Sequence, residues 1–247
     1  MKFPHKKIIA FEGLDNCFKE TNYKAFINRL RYEYGSEAEI HIESFPRYGN
    51  QNCMAVEKWL DGSYDREICL KNPKAVCSFY MTDRFGYWFE RVHGQRSNAE
   101  ILYSTAAGQK KTCFVFDRYN ISNAIYNPRN AGTPSTLDIT YETTECGIPK
   151  ADIVVWMRMR DFNVLEELIA KKKNKDKNEL DLDFLYNAWV RSENFLTNHI
   201  LEECGIKVIV IEILDKDGNI RSKKDLADEV WNKIMDEEFQ SGLELSL

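Results

Sequence analysis

Five short apolar runs, each set apart by longer stretches with helical periodicity, limit how this chain can fold more than any other feature. They are Ile8–Phe11, Glu39–Ser44, Thr112–Asp117, Asp152–Arg158 and Lys207–Ile213. After the first run, Tyr23, Phe26, Ile27 and Leu30 mark one face of a helix. Helical patterns cover roughly 19–34, 51–61, 73–107, 119–129, 161–173, 181–203 and 223–238. Parallel strands need crossovers of a dozen or more residues, and those crossovers place helices over the sheet. The expectation is therefore α/β: a five-stranded parallel sheet with helices on both faces, built as a single domain over 1–247.

Composition narrows the partners. A chain of 247 residues with 43% hydrophobic content can bury a sizeable core. A net charge of -5 and a pI near 5.6 disfavour a surface that coats long nucleic acid, but leave room for a nucleotide in a local basic pocket. The seven cysteines, at 17, 53, 69, 77, 113, 146 and 204, form no C-x-x-C pair and read as reduced thiols of a cytoplasmic protein. No apolar run approaches membrane-spanning length, so no membrane partner is expected.

In open parallel sheets, ligands bind beyond the carboxyl ends of the strands. Residues suited to anions follow several of these strands. Gly13, Asp15 and Lys19 come after the first, Phe45-Pro46-Arg47-Tyr48-Gly49 after the second, and Asp117-Arg118-Tyr119 around the end of the third. The fourth leads through Arg158 and Arg160 towards Lys171-Lys172-Lys173-Asn174-Lys175-Asp176-Lys177. That run taken alone reads as a solvated helix end or loop. Cations and a phosphate-friendly glycine at one sheet edge together describe a site for a polyanionic small molecule.

The motifs resemble those of the thymidylate kinase family. FEGLDNCFKET (11–21) looks like its phosphate loop, usually FEG-x-D-G-x-G-K-[ST]-T. FPRYGN, FYMTDR and DRYNISNAIYN are similar to three further family segments, and the order of strands agrees through nearly the whole chain. The resemblance implies a P-loop NTPase architecture of the nucleoside-monophosphate kinase type with a helical lid at about 158–182. It also implies ATP as phosphoryl donor, dTMP as acceptor, Mg²⁺ as cofactor and a homodimer.

Residue by residue, the resemblance places Gly13, Asn16, Cys17, Phe18, Lys19, Glu20 and Thr21 around ATP. It places Asp15, Phe45, Arg47, Tyr48, Phe79, Arg84, Arg118, Asn123 and Tyr126 around dTMP. Phe79 would stack on the base, Arg84 would donate to a base carbonyl, and Asn123 would read the base edge. Tyr126 would pack where a 2′-hydroxyl would sit. Arg118, assisted by Arg47 and Tyr48, would hold the acceptor phosphate. In the same reading Lys19, Arg118 and Asp15 would form the catalytic set, and Asp15 and Asp117 would position the acceptor's sugar or phosphate groups, or Mg²⁺ and its waters.

The donor side departs from the family pattern. Phe18 stands where the loop normally has glycine, and a side chain there obstructs close backbone approach and disfavours a left-handed backbone. Asn16 replaces another glycine at lower cost. Glu20 brings a carboxylate near the phosphates, although a carboxylate can ligate Mg²⁺. The lid run contains no arginine, leaving Arg158 or Arg160 as substitutes. A second function class is consequently open: a nucleotide-binding protein derived from a kinase, with impaired catalysis, acting as a sensor or interaction subunit.

Overall fold

The computed structural model describes residues 3–90, 96–104, 110–126, 136–173 and 180–236. Its elements run β1 (Ile8–Glu12), α1 (Lys19–Tyr34), β2 (Ala38–Ser44), α2 (Met54–Leu60), α3 (Arg66–Lys71), α4 (Pro73–Phe89), α5 (Asn98–Tyr103) and β3 (Lys111–Asp117). They continue with α6 (Asn120–Tyr126), α7 (Thr136–Cys146), β4 (Ile153–Arg158), α8 (Phe162–Ala170), α9 (Leu182–Thr197), α10 (Ile200–Glu203), β5 (Lys207–Glu212) and α11 (Lys223–Ile234). The strands form one sheet in the order β2-β3-β1-β4-β5, and every neighbouring pair is parallel. The expected five-stranded α/β architecture is the observed one.

Burial explains the apolar runs. All five residues of β1 are buried, as are the middles of β3 and β4, because helices cover both faces of the central strands. β2 lies at one edge and alternates between half-buried and exposed residues over much of its length. The chain leaves β1 to build β2 and β3 on one side, then returns to add β4 and β5 on the other. This change of direction opens a crevice beyond the carboxyl end of β1, where ligands of such sheets bind.

Several helical boundaries differ from the periodic pattern. The stretch 73–107 does not form one helix: α4 ends before Glu90, whose backbone is extended, and α5 begins anew with Ser97 in a capping box with Glu100. Of the pattern over 119–129, α6 covers Asn120–Tyr126 and 127–129 lies outside the described residues, while that over 181–203 divides at His199, whose φ of 52° is left-handed. Two helices, α3 and α7, carry too little apolar periodicity to be read from sequence. Of the lid stretch, 174–179 lies outside the described residues, which takes in Asn174, Lys175, Asp176 and Lys177. No described helix is long and apolar enough to cross a membrane.

Candidate active site

Two cavities meet beyond the carboxyl end of β1. The first, of about 460 Å³, is bounded by Asp15, Asn16, Phe18, Lys19, Glu20 and Thr21 from the loop and α1, Asp117 and Arg118 from the end of β3, and Leu168 and Lys172 from the α8 region. The second, of about 260 Å³, is lined by residues including Phe45, Tyr48, Tyr80, Arg84, Asn123, Tyr126 and Phe184. Asp15 and Arg118 line both. The side chains at this junction form an ion pair, with the Arg118 Nη2 donating to Asp15 Oδ1.

The junction is held by its backbone. Arg118 has a φ of 64°, a left-handed conformation costing a residue with Cβ about 1–2 kcal/mol. Its N–H donates to the Phe11 carbonyl at 2.9 Å. Next to it, the buried Glu12 carboxylate accepts from the Tyr119 N–H at 2.7 Å, the Ser122 N–H at 3.3 Å and the Ser122 hydroxyl at 2.6 Å. Glu12 thus satisfies donors at the start of α6 and ties that helix to β1. Burial pushes its pKa up, against the opposing effects of Ser122 and Arg118.

Asp15 behaves oppositely. Burial raises its pKa, but Arg118, Lys19, Lys172 and a hydrogen bond from Tyr126 outweigh that effect and hold it below the ordinary value. Asp15 also donates its backbone N–H to the Tyr126 hydroxyl at 3.1 Å. Arg118 is held well above its ordinary value; Asp15 and other negative neighbours outweigh the effect of burial. A carboxylate and a guanidinium that keep each other charged form a fixed dipole between the two spaces.

In the donor-side loop, Lys19 donates to the Leu14 carbonyl at 2.7 Å and lies 3.9 Å from Asp15. Burial, then the Arg118 charge, lowers its pKa, while Asp15 opposes the change. The start of α1 has no side-chain cap, since Phe18 occupies the cap position. Its free N–H groups and dipole favour an anion. Phe18 adopts the left-handed conformation at φ 57°, as Asn16 does at φ 62°. The loop therefore keeps a glycine-like path at positions that are not glycine. Glu20 pairs with Lys24 on the exposed side of α1.

Gly13 and Cys17, expected around ATP, have packing roles in the loop. Neither is among the residues lining the donor cavity. A Cβ on Gly13 would lie 2.5 Å from the Met157 carbonyl oxygen, so glycine there permits the loop to approach β4. The Cys17 side chain is buried, and burial pushes its thiol up to about 12. It is a packed thiol rather than a nucleophile.

Two residues expected around dTMP are absent from the lining of the second cavity. Arg47 is not among its lining residues; its Nε donates to Asp83 at 2.8 Å, its Nη2 to the Asp83 carbonyl at 2.8 Å, and its Nη1 to Glu90 at 3.0 Å. These partners occupy its fork, so it locks the loop after β2 against α4. Phe79 instead packs with Tyr64, ring centroids 5.4 Å apart, in a side cluster containing Trp59 and Val76. On α4, the aromatic residue that lines the cavity is Tyr80. The signal was present in the sequence: Tyr80 and Arg84 are four residues apart and share a helix face, whereas Phe79 does not.

Arg84, Asn123, Tyr126, Phe45 and Tyr48 do line this space. Arg84 is fully buried and donates to Glu142 of α7, through Nε at 2.7 Å and also through Nη2. Tyr126 stacks at 6.0 Å on Phe184 of α9, another lining residue not singled out by the sequence pattern. The proposed lid arginines are engaged elsewhere: Arg158 pairs with Glu193 and Glu212, and Arg160 donates to the Asp215 carbonyl. Among the described residues of the 158–182 stretch, Lys172 is the cation that lines the first cavity.

Comparison with solved proteins supports the architecture. A thymidylate kinase from Ehrlichia chaffeensis aligns with a TM-score of 0.59 and 16% identity, over 94% of this chain and 100% of that one. The chain therefore has a nucleotide-kinase-like fold. No protein-family model matches the sequence, and no curated protein does. At this identity the neighbour establishes the fold, and the case for an activity must come from the site.

Proposed function

We propose that this chain transfers the γ-phosphoryl group of ATP to dTMP, giving dTDP. The observation carrying this reading is the junction, where Asp15 and Arg118 line both a loop-and-helix anion cavity and an aromatic-lined cavity. Phosphoryl transfer needs donor and acceptor oxygens in line and charge compensation between them. ATP would occupy the space over the α1 N-terminus, with Lys19 exchanging the Leu14 carbonyl for donor phosphate. Arg118 would face the acceptor phosphate and the transferred group together. Leu168 and Lys172, from the proposed lid, would close the donor side and limit water entry. The two cavities are read as parts of a single domain.

Mg²⁺ fits the residues present. The Asp117 Oδ1 is buried without a hydrogen-bond partner among the described residues, and Asp15 shares the donor cavity. Two carboxylates suit an ion that keeps several waters and binds phosphate oxygens. When bound, it would neutralise charge on the donor phosphates.

A coupled ADP-release assay with dTMP, dUMP and other nucleoside monophosphates tests the proposal. ADP release dependent on dTMP is expected; absence of both turnover and nucleotide binding would reject it. The second reading, a nucleotide binder with impaired catalysis, is favoured by Phe18 lining the donor cavity. Calorimetry showing dTMP binding with neither ATP binding nor turnover would select that reading.

A further inference from the structure

We infer that Glu142 is a positioning residue that makes the acceptor cavity select keto–imide pyrimidines over cytosine. This rests on the proposed function, because it concerns the base of the same acceptor nucleotide. Glu142 is buried on α7, and its Oε1 serves two residues of the cavity wall, Arg84 and Asn123. The Asn123 Nδ2 donates to Glu142 Oε1 at 3.0 Å and to the Cys77 carbonyl at 3.1 Å.

Two acceptors around one amide nitrogen fix the orientation of the amide. A flipped Asn123 would turn its carbonyl oxygen towards a carboxylate and a carbonyl, leaving like partial charges together. The nitrogen is therefore used within the protein, and Oδ1 remains as the acceptor for a ligand. Arg84 commits Nε and one Nη2 hydrogen to Glu142, leaving only donors, the Nη1 hydrogens and the second on Nη2, for a ligand. These two residues thus offer a donor and an acceptor of fixed polarity side by side in the wall.

That polarity complements a ring with an exocyclic carbonyl beside an N–H, as in uracil and thymine. Cytosine offers the reverse: an amino group beside an unprotonated nitrogen. It would place donor against Arg84 and acceptor against Asn123. Glu142 touches no ligand in this arrangement; it selects the base by orienting two residues that do.

The test is calorimetric binding of dTMP, dUMP and dCMP to the full chain and to Glu142→Gln, alongside thermal melts. The unmodified chain should bind dUMP at least about tenfold more tightly than dCMP, the scale of a mismatched buried polar pair. Glu142→Gln should narrow the dUMP:dCMP ratio severalfold, since its amide can face Asn123 and permit the flipped state. Glu142→Asp preserves the charge opposite Arg84, so it remains informative if Glu142→Gln does not fold; its shorter reach should narrow the ratio as well. A ratio near one in the unmodified chain, or an unchanged ratio in a folded variant with only a lower melting temperature, overturns the inference. Failure to bind any pyrimidine monophosphate rejects the nucleotide reading itself.

Discussion

The two cavities, proposed as acceptor and donor sites, share two residues but are built by different means. Acceptor-side side chains are fixed by buried pairs drawn from distant elements, such as Arg84 with Glu142 and Asn123 with the Cys77 carbonyl. The donor side relies on one continuous loop with two left-handed non-glycine residues and an uncapped helix. A wall held by cross-links tolerates little change, while a loop carrying backbone strain can be altered locally. The comparison predicts that mutations will separate into effects on folding, on binding and on turnover.

Arg47→Ala should have the largest effect, and on stability. It would leave Asp83, which is almost fully buried, and the nearby Glu90 without their cation. Removing one partner of a buried pair costs about 3–5 kcal/mol. Urea denaturation would measure this loss, while dTMP affinity per folded molecule should be unchanged. A selective loss of dTMP binding at full stability would return Arg47 to the acceptor site.

Arg118→Ala should act next most strongly, on turnover. Loss of a preorganised donor to transition-state charge lowers the rate by about a hundred- to a thousandfold. Single-turnover measurements with saturating ATP and dTMP would check it, with a thermal melt to verify folding. Full turnover without Arg118 would break the link between the two cavities.

Tyr80→Ala and Phe79→Ala sharpen the comparison within one helix. Stacking of a base on an aromatic side chain contributes about 1–3 kcal/mol, so Tyr80→Ala should weaken dTMP binding about tenfold. Phe79→Ala should reduce stability by loosening its contact with Tyr64, without that loss of affinity. The reverse pattern would restore Phe79 as the stacking residue.

These pairs also show what was legible in the sequence. The strands were readable because β1, β3 and β4 are buried enough to require continuous apolar runs. The convergence of Lys19, Asp15 and Arg118 on one cavity was readable because short loops follow β1 and β3. The pairing of Arg47 with Asp83 and Glu90 was not legible, because a loop arginine has the same local signature whether it faces a phosphate or a buried carboxylate. Glu142 left no local signal: its role depends on α7 packing beside α4 and α6, and its partners are 58 and 19 residues away. Glu12 lay within the recognised loop motif, but its hydrogen bonds across to Tyr119 and Ser122 become visible only when β1 and β3 are paired.

The two carboxylates flanking the loop should respond oppositely to acid. Asp15 has a folded-state pKa below its ordinary value of 3.8, so its stabilising contribution is present above that value and is lost as pH falls through the lower one. Glu12 has a folded-state pKa above its ordinary value of 4.5, so protonation in this range favours the folded state. Denaturation between pH 3 and 6 should therefore show a weaker acid-induced loss in Asp15→Asn than in the unmodified chain. An identical pH dependence would mean that the Asp15–Arg118 pair does not tune this carboxylate.

Phe18→Gly should have the smallest effect on stability because two terms oppose each other. Glycine relieves the left-handed conformation at φ 57°, worth about 1 kcal/mol, but removes a partly buried ring packed against the core. Function discriminates better than stability here. If the ring obstructs the phosphate path, ATP affinity should rise severalfold in Phe18→Gly while dTMP affinity stays constant, because Phe18 lines the proposed donor cavity and is not among the lining residues of the other. Equal or weaker ATP binding would instead mean that the aromatic loop is adapted to its donor, and the donor half would then be as finely fitted as the acceptor half.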